Sequence, residues 1–163
     1  MQNVRFRPQA DARASALDFR AIWPARERTS VTHSLKGSCL CRRIAYEVSP
    51  PFVRFVHCYC SRCRKATGSG RASNIVVSPD QFRWLLGENL LVRFDLPEAR
   101  SFATTFCPRC GSPLPHLTRS GREVIVPAGS LDEDLADRPS AHCHWSSHAT
   151  WVSENEAHLP HTD

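Results

Sequence analysis

The sequence has no apolar run long enough to cross a membrane and no apolar leader. None of its stretches approaches the roughly 18 consecutive apolar residues of a transmembrane helix, and the first thirty residues lack the continuous apolar segment of a signal peptide. Because a reducing cytosol keeps thiols out of disulfides, the eight cysteines agree with a soluble, cytoplasmic protein. At 163 residues the chain has the size of one domain with a core of its own.

Lysine is scarce, with two residues against nineteen arginines, which is typical of a G+C-rich genome. In bacteria a valine codon can start translation, so we hypothesise that Val31 is the true start. Residues 1–32 show no sustained strand or helix period, and Pro8 and Pro24 interrupt any longer helix. A short helix over residues 11–22 is the alternative for this segment. We therefore predict a domain over residues 33–160 and interpret residues 1–32 as an extension that is poorly ordered or not translated.

Helical periodicity is almost absent, and short strand patterns separated by proline and glycine take its place. Residues 43–48 alternate apolar and polar side chains, which predicts a strand with one buried face. Pro50 and Pro51 end it, and residues 80–86 read as a turn of helix. Further strands are predicted over residues 52–57, 72–77, 90–94, 101–106, 123–126 and 142–146. The pattern predicts an all-β fold.

Three cysteines fall within six residues, in a C-x-C-x-x-C cluster formed by Cys58, Cys60 and Cys63. Zinc takes four ligands in a tetrahedron. Structural sites fill all four positions with protein atoms, whereas catalytic sites supply three and leave one for water or substrate. Three neighbouring thiols with no evident fourth ligand therefore predict a reactive zinc site.

Four further cysteines form two pairs, one upstream and one downstream of that cluster. They are Cys39 and Cys41 in a C-x-C, and Cys107 and Cys110 in a C-x-x-C. Two ligands plus two complete one closed four-thiolate site, which predicts a structural zinc that cross-links distant segments. The eighth cysteine, Cys143, is interpreted as a small buried hydrophobe. A disulfide scaffold is the alternative, but no secretory context supports it.

In these residues the chain resembles the glutathione-dependent formaldehyde-activating enzymes. The similarity spans most of residues 33–160, and Arg42 departs from it because the family often has glycine there. The shared motifs are GSCLC at 37–41, IAYEV at 44–48, HCYCSRCRK at 57–65, FCPRCGS at 106–112 and AGSLD at 128–132.

The resemblance implies a two-sheet, tent-like zinc-binding fold and two Zn²⁺ ions. It implies that the paired cysteines hold a structural zinc, and that Cys58, Cys60 and Cys63 hold the catalytic zinc. The implied activity is that of a carbon–sulfur lyase, similar to S-(hydroxymethyl)glutathione synthase. Its substrate would be an adduct of glutathione, or a similar small-molecule thiol, with formaldehyde or another small electrophile.

Basic side chains surround the three-cysteine cluster: Arg62, Arg64 and Lys65 lie within it or just after it, and Arg71 follows the glycine loop. Arginine can bind a carboxylate through two parallel hydrogen bonds, and glutathione carries two carboxylates. We therefore predict that Arg62, Arg64 and Lys65 bind substrate, although each could equally be a solvated surface charge. His57 precedes the first cysteine and is either a proton shuttle or simply the end of a strand.

The tail contains a His-Cys-His run at residues 142–144 that resembles a further metal site. In a strand, His142 and His144 share one face while Cys143 points to the other, so the three cannot converge on one ion. Trp145 and Trp151 are predicted to belong to the core or to a cleft wall. We interpret this segment as structural, with His142 near the active cleft because the family pattern has a histidine there.

The chain also carries little net charge once the thiolates and the zinc ions are counted. Seven thiolates contribute −7 and two zinc ions +4, which reduces the formal net charge from +5 to +2. Residues 1–30 carry +3 of this, so the metal-loaded remainder is at −1 and does not predict nucleic-acid binding. The alternative to an enzyme is a non-catalytic, zinc-stabilised binding module, as the resemblance to the centromere protein V domain suggests. The basic N-terminal segment of this chain would then bind DNA.

Overall fold

The computed structural model describes residues 31–153. Its elements are β1 (Leu35–Ser38), β2 (Ala45–Val48), β3 (Arg54–Cys58), α1 (Ser61–Thr67), β4 (Ala72–Val77), β5 (Phe82–Leu86), β6 (Val92–Asp95), β7 (Ala103–Phe106), β8 (Pro113–Leu114), β9 (His116–Leu117), β10 (Val124–Pro127) and β11 (Ala141–Cys143). Short 3₁₀ turns lie at Pro79–Gln81, Glu88–Leu90, Ala128–Ser130 and Trp145–Ser147. The predicted all-β fold is confirmed. In the described part of the chain, no helix is long and apolar enough to span a membrane.

The strands divide into three hydrogen-bonded sheets, whereas the resemblance implied two. Their orders are β1-β2-β5, β11-β3-β4-β10-β9 and β6-β7-β8. All pairings are antiparallel except β11 with β3, which is parallel. The second and third sheets are adjacent along the chain, because only Pro115 separates β8 of the third sheet from β9 of the second.

The main core lies between the first sheet and the β3-β4-β10 part of the second. Strand β2 buries alternate residues, as its sequence pattern predicted, and Tyr46 in it is fully buried. The Tyr46 hydroxyl lies 2.7 Å from the Ser130 hydroxyl, so this buried polar group is satisfied. A side chain on Gly37 would overlap the Tyr46 ring and the Ser130 carbonyl, which explains glycine at that position.

Two predicted elements are wrong. Residues 80–86 are not a helical turn: a 3₁₀ turn ends at Gln81 and strand β5 follows. Pairing with β2 favours a strand over a helix here, because Phe82 and Trp84 pack against the Tyr46 ring at centroid separations of 5.6 and 6.0 Å. The last strand ends at Cys143, because His144 has a left-handed backbone, with φ +55°, that cannot continue a strand.

The predicted extension over residues 1–32 lies outside the described residues except for Val31 and Thr32, as does the end of the predicted domain beyond residue 153. Val31 packs into the main core and is 7 % exposed. The proposed start at Val31 stays a prediction.

Candidate metal centres

The two cysteine pairs come together as the ligand spacing predicted. Cys39 and Cys41 follow β1, Cys107 and Cys110 follow β7, and all four sulfurs lie within 4.8 Å of one another. A tetrahedral zinc with Zn–S bonds of about 2.3 Å requires sulfurs about 3.8 Å apart. The Cys39–Cys41 and Cys41–Cys107 sulfur distances are 3.5 and 3.8 Å. This site therefore fits a fully protein-ligated zinc.

Hydrogen bonds hold the two cysteine loops in register around this closed site. The Ser112 hydroxyl accepts a 2.9 Å bond from the Leu40 backbone N–H and lies 3.3 Å from the Cys110 sulfur. The Ser112 hydroxyl, followed by its backbone N–H, lowers the pKa of Cys110 to about 5. Stabilising a thiolate is what metal ligation requires. Sequence reasoning did not single out Ser112, since a serine after C-x-x-C-G carries no general signal.

The three-cysteine cluster is built where β3 meets α1. Cys58 ends β3, Cys60 caps the N-terminus of α1, and the Cys63 backbone N–H donates to the Cys60 sulfur at 3.4 Å. The three sulfurs lie within 4.8 Å of one another and are partly buried. Among the residues described, no histidine, aspartate, glutamate or further cysteine completes this group. The site fits a metal that keeps one position open.

The three thiols share their protons unequally. Hydrogen bonds from the Cys58 and Cys63 thiols lower the pKa of Cys60. The same contact with Cys60 raises the pKa of Cys58, and contacts with Cys58 and Cys60 raise that of Cys63. One thiolate is thus already favoured at the helix cap, and a bound cation would favour all three.

Strand β11 lies parallel to β3 and places the tail behind the three-cysteine cluster. Cys143 is opposite Cys58 in this pairing, and its carbonyl accepts a 3.0 Å bond from the Tyr59 backbone N–H. Cys143 is partly buried and, in the described structure, joins neither metal cluster. The His142–His144 run therefore forms no three-ligand site there, in line with its structural interpretation.

A ring cluster that the sequence did not predict lies under the same site. The buried Tyr59 hydroxyl is 2.9 Å from His142 Nδ1, and the two rings stack at 5.4 Å. Trp145 meets Tyr59 edge-on at 4.8 Å, which confirms its place in a core cluster. The prediction is wrong for Trp151, which lies in a surface turn, is 71 % exposed and does not line the groove described below. His57 Nδ1 lies 3.0 Å from the Ser73 hydroxyl. These contacts fix the backbone on both sides of Cys58.

A groove of about 890 Å³ runs past both cysteine clusters. Cys63, Ala66 and Thr67 form one wall with the α1 face, and Cys39 and Leu40 contribute from the closed site. The predicted substrate-binding residues Arg62, Arg64 and Lys65 are not part of this lining. Arg62 and Lys65 are exposed elsewhere on α1, and Arg64 donates to the Tyr59 carbonyl at 3.2 Å. The basic residues that line the groove are Arg42, Arg71 and His116.

His116 makes the stability of this groove wall dependent on pH. Burial, followed by repulsion from Arg93, lowers the pKa of His116 to about 4. The unfolded chain therefore binds a proton below about pH 6.5 that the folded chain takes up only near pH 4. Between pH 7 and pH 5 the protein should lose about 1–2 kcal/mol through this histidine.

Urea unfolding of His116→Gln at pH 7 and pH 5, beside the parent protein, checks this prediction. The control is His33→Gln, since the His33 side chain is 67 % exposed. Metal loss at pH 5 affects all three proteins and cancels in the comparison. The prediction is contradicted if the free energy of unfolding falls as much between pH 7 and pH 5 in His116→Gln as in the parent protein.

Comparisons with known proteins find one matching family, a similar sequence and a similar solved structure. A family profile described as glutathione-dependent formaldehyde-activating enzyme matches residues 34–147. A Halomonas elongata protein with the provisional name glutathione-dependent formaldehyde-activating enzyme is 31 % identical in an alignment of 129 residues, and the alignment covers 72 % of this chain and 79 % of that protein. The crystal structure of a Rhodobacter sphaeroides protein, 25 % identical, superposes with a TM-score of 0.52 over 63 % of this chain and 92 % of that one.

Proposed function

The chain belongs to the family of glutathione-dependent formaldehyde-activating enzymes, and from that premise we propose that it is a zinc-dependent carbon–sulfur lyase. Its substrates would be adducts of glutathione, or a similar thiol, with formaldehyde or another small electrophile. The observation that carries the proposal is the three-thiol cluster, which has no fourth ligand among the described residues and contributes Cys63 to the groove.

Cys58, Cys60 and Cys63 would hold the catalytic zinc. A zinc ligated by three thiolates is electron-rich and a modest Lewis acid, so the chemistry it supplies is binding of a soft thiolate rather than generation of hydroxide. Cys39, Cys41, Cys107 and Cys110 would hold a second, structural zinc, which joins the loop after β1 to the loop after β7.

The protein's own part in the reaction is to hold two small reactants together. In the synthetic direction a carbon–sulfur bond forms between the thiol sulfur and the aldehyde carbon, and the proton lost from sulfur ends on the carbonyl oxygen. No redox partner is needed. The groove beside Cys63 would orient the thiol, and proximity can supply several kcal/mol of the barrier. The lyase direction is the reverse.

Exchange spectroscopy of glutathione and formaldehyde tests the proposal directly. Zinc-loaded protein should increase the rate of adduct formation in proportion to its concentration, and glutathione should give binding heat by calorimetry. A chelator-treated sample is the control for the spontaneous reaction. Zinc-loaded protein that gives neither effect would overturn the proposal and favour a non-catalytic binding module.

Zinc removal should proceed in two phases. The native protein is expected to hold two zinc ions, and a chelator should strip the three-cysteine site first, because its open position admits a competing ligand while the closed site has none. The first phase should leave the melting temperature nearly unchanged. Elemental analysis with a chromogenic chelator measures both the count and the phases.

Two results would contradict this prediction of unequal lability. A count of one zinc before any chelation would mean that the three-cysteine site does not retain metal. Loss of both ions in a single phase, together with unfolding, would mean that the two sites are not separable.

A further inference from the structure

Arg42 makes a turn that glycine would make at lower cost. It lies between the cysteine loop and β2, its φ is +58°, and its backbone N–H donates to the Cys39 carbonyl at 2.7 Å. A left-handed backbone conformation is unfavourable for every residue except glycine, because the Cβ atom lies too close to the following carbonyl oxygen. Backbone strain of this kind tends to persist where the side chain has a function.

The Arg42 side chain lines the groove that Cys63 also lines, and it is exposed. Three arginines that lie within strands are paired: Arg54 with Glu123, Arg83 with Glu47 and Arg93 with Asp95, each at 2.7–2.8 Å. Within residues 31–153 the Arg42 guanidinium has no hydrogen bond or ion pair. Asp132, a charge of opposite sign on the same lining, is engaged instead by the Ser38 hydroxyl at 2.7 Å.

The size of the groove indicates how large a ligand could bind beside the Arg42 guanidinium. A volume of about 890 Å³ is near the upper end of ligand sites, which span roughly 300–1,000 Å³. A two-carbon thiol would leave most of it empty. A peptide-sized thiol with its sulfur beside Cys63 would extend along the lining, and a guanidinium binds a carboxylate with two parallel hydrogen bonds.

We propose that Arg42 determines thiol specificity by binding a terminal carboxylate of a peptide-sized thiol whose sulfur lies beside Cys63. This inference rests on the proposed function and selects, within its substrate class, thiols that carry a carboxylate. Residue 42 would then retain arginine because the gain in substrate binding offsets the conformational strain of the turn.

Substitution at position 42 should move stability and binding in opposite directions. Arg42→Gly is expected to raise the melting temperature by about 2–4 °C, because glycine makes the left-handed turn without strain. It should also raise KM for glutathione about five- to tenfold, the effect of losing one partly exposed charge-assisted bond, with kcat nearly unchanged. With 2-mercaptoethanol, which has no carboxylate, KM should not change.

Two further variants make the result specific. Arg42→Asn removes the charge while keeping a residue that tolerates the left-handed turn, so it should reproduce the KM increase without the added flexibility of glycine. Arg43→Ala, next to it and exposed but outside the lining, should bind glutathione like the parent protein.

An unchanged KM for glutathione in Arg42→Gly and Arg42→Asn, or an equal increase for 2-mercaptoethanol, would overturn the inference. Calorimetric titration with glutathione measures Kd, and so tests the contact between Arg42 and the glutathione carboxylate independently of catalysis. A parent protein that binds glutathione but does not accelerate adduct formation would refute the proposed function, while the ratio of Kd values would still decide the role of Arg42. Absence of glutathione binding would refute both.

Discussion

Replacing Cys107 with serine should leave the protein largely unfolded or aggregated at room temperature. Cys107 is 1 % exposed, and its sulfur is one of the four that join loops more than sixty residues apart in the chain. Structural zinc contributes on the order of 10 kcal/mol to the folding of small zinc domains, and a native domain is stable by about 5–15 kcal/mol in total. Losing one ligand of a closed site therefore removes most of the margin.

A minority of Cys107→Ser molecules should still fold, because a chain of this size buries a core of its own. Near-ultraviolet circular dichroism, thermal melts and zinc counts measure it. The matched control is Cys143→Ser, a partly buried cysteine outside both clusters, which should change stability by about 1 kcal/mol. A Cys107→Ser protein that melts within a few degrees of the parent would mean that the closed site does not stabilise the fold.

Both metal centres could be found in the sequence because coordination chemistry constrains ligand spacing. Zinc needs thiols within bonding distance of one point, so C-x-C and C-x-x-C pairs remain visible whatever the fold around them does. The structure brings the predicted set of four together and the predicted set of three together. Strand β4 was predicted over its observed residues, 72–77, because a proline after it and glycines before it fix both ends.

Other parts of the molecule depend on contacts that no local pattern reports. Helix α1 has seven residues and buries none of them, so it has no apolar period to detect. Its start is a cysteine cap, which composition rules do not anticipate. Strand β5 depends on pairing with β2, and the groove combines residues from β4, β7, β9 and the cysteine loops. For this reason the basic residues nearest the cluster in sequence, Arg62, Arg64 and Lys65, do not line the groove.

Arg42 shows the opposite case, in which the sequence contained the signal before the structure explained it. Its departure from the glycine that the family often has could be noticed from the motif alone. Only the backbone shows that the turn still needs a left-handed residue there, with φ +58°. A local rule is therefore broken next to Cys41 of the candidate closed site, as is common at functional sites.

Replacing Cys60 with serine should abolish activity and leave the fold almost intact. Serine is a preferred helix N-cap, so it can accept the bond from the Cys63 N–H that the Cys60 sulfur now accepts. The ligand set falls to two, whereas loss of an outer-shell partner alone costs roughly 10–100-fold, so we expect a larger decrease in the rate of adduct formation. The melting temperature should stay within a few degrees of the parent, since the closed site and the core are untouched.

Cys60→Ser and Cys107→Ser together test whether the two metal centres have separate functions. Each variant is measured for zinc content, melting temperature and adduct formation, with Cys143→Ser as the common control. Cys60→Ser should retain one tightly held zinc and lose the fast phase of chelation, because the open position disappears with its metal. If Cys60→Ser instead melts as low as Cys107→Ser, the three-cysteine site contributes folding energy like the closed one. Cys58, which ends the core strand β3, would then anchor a second structural cross-link rather than a centre that holds substrate.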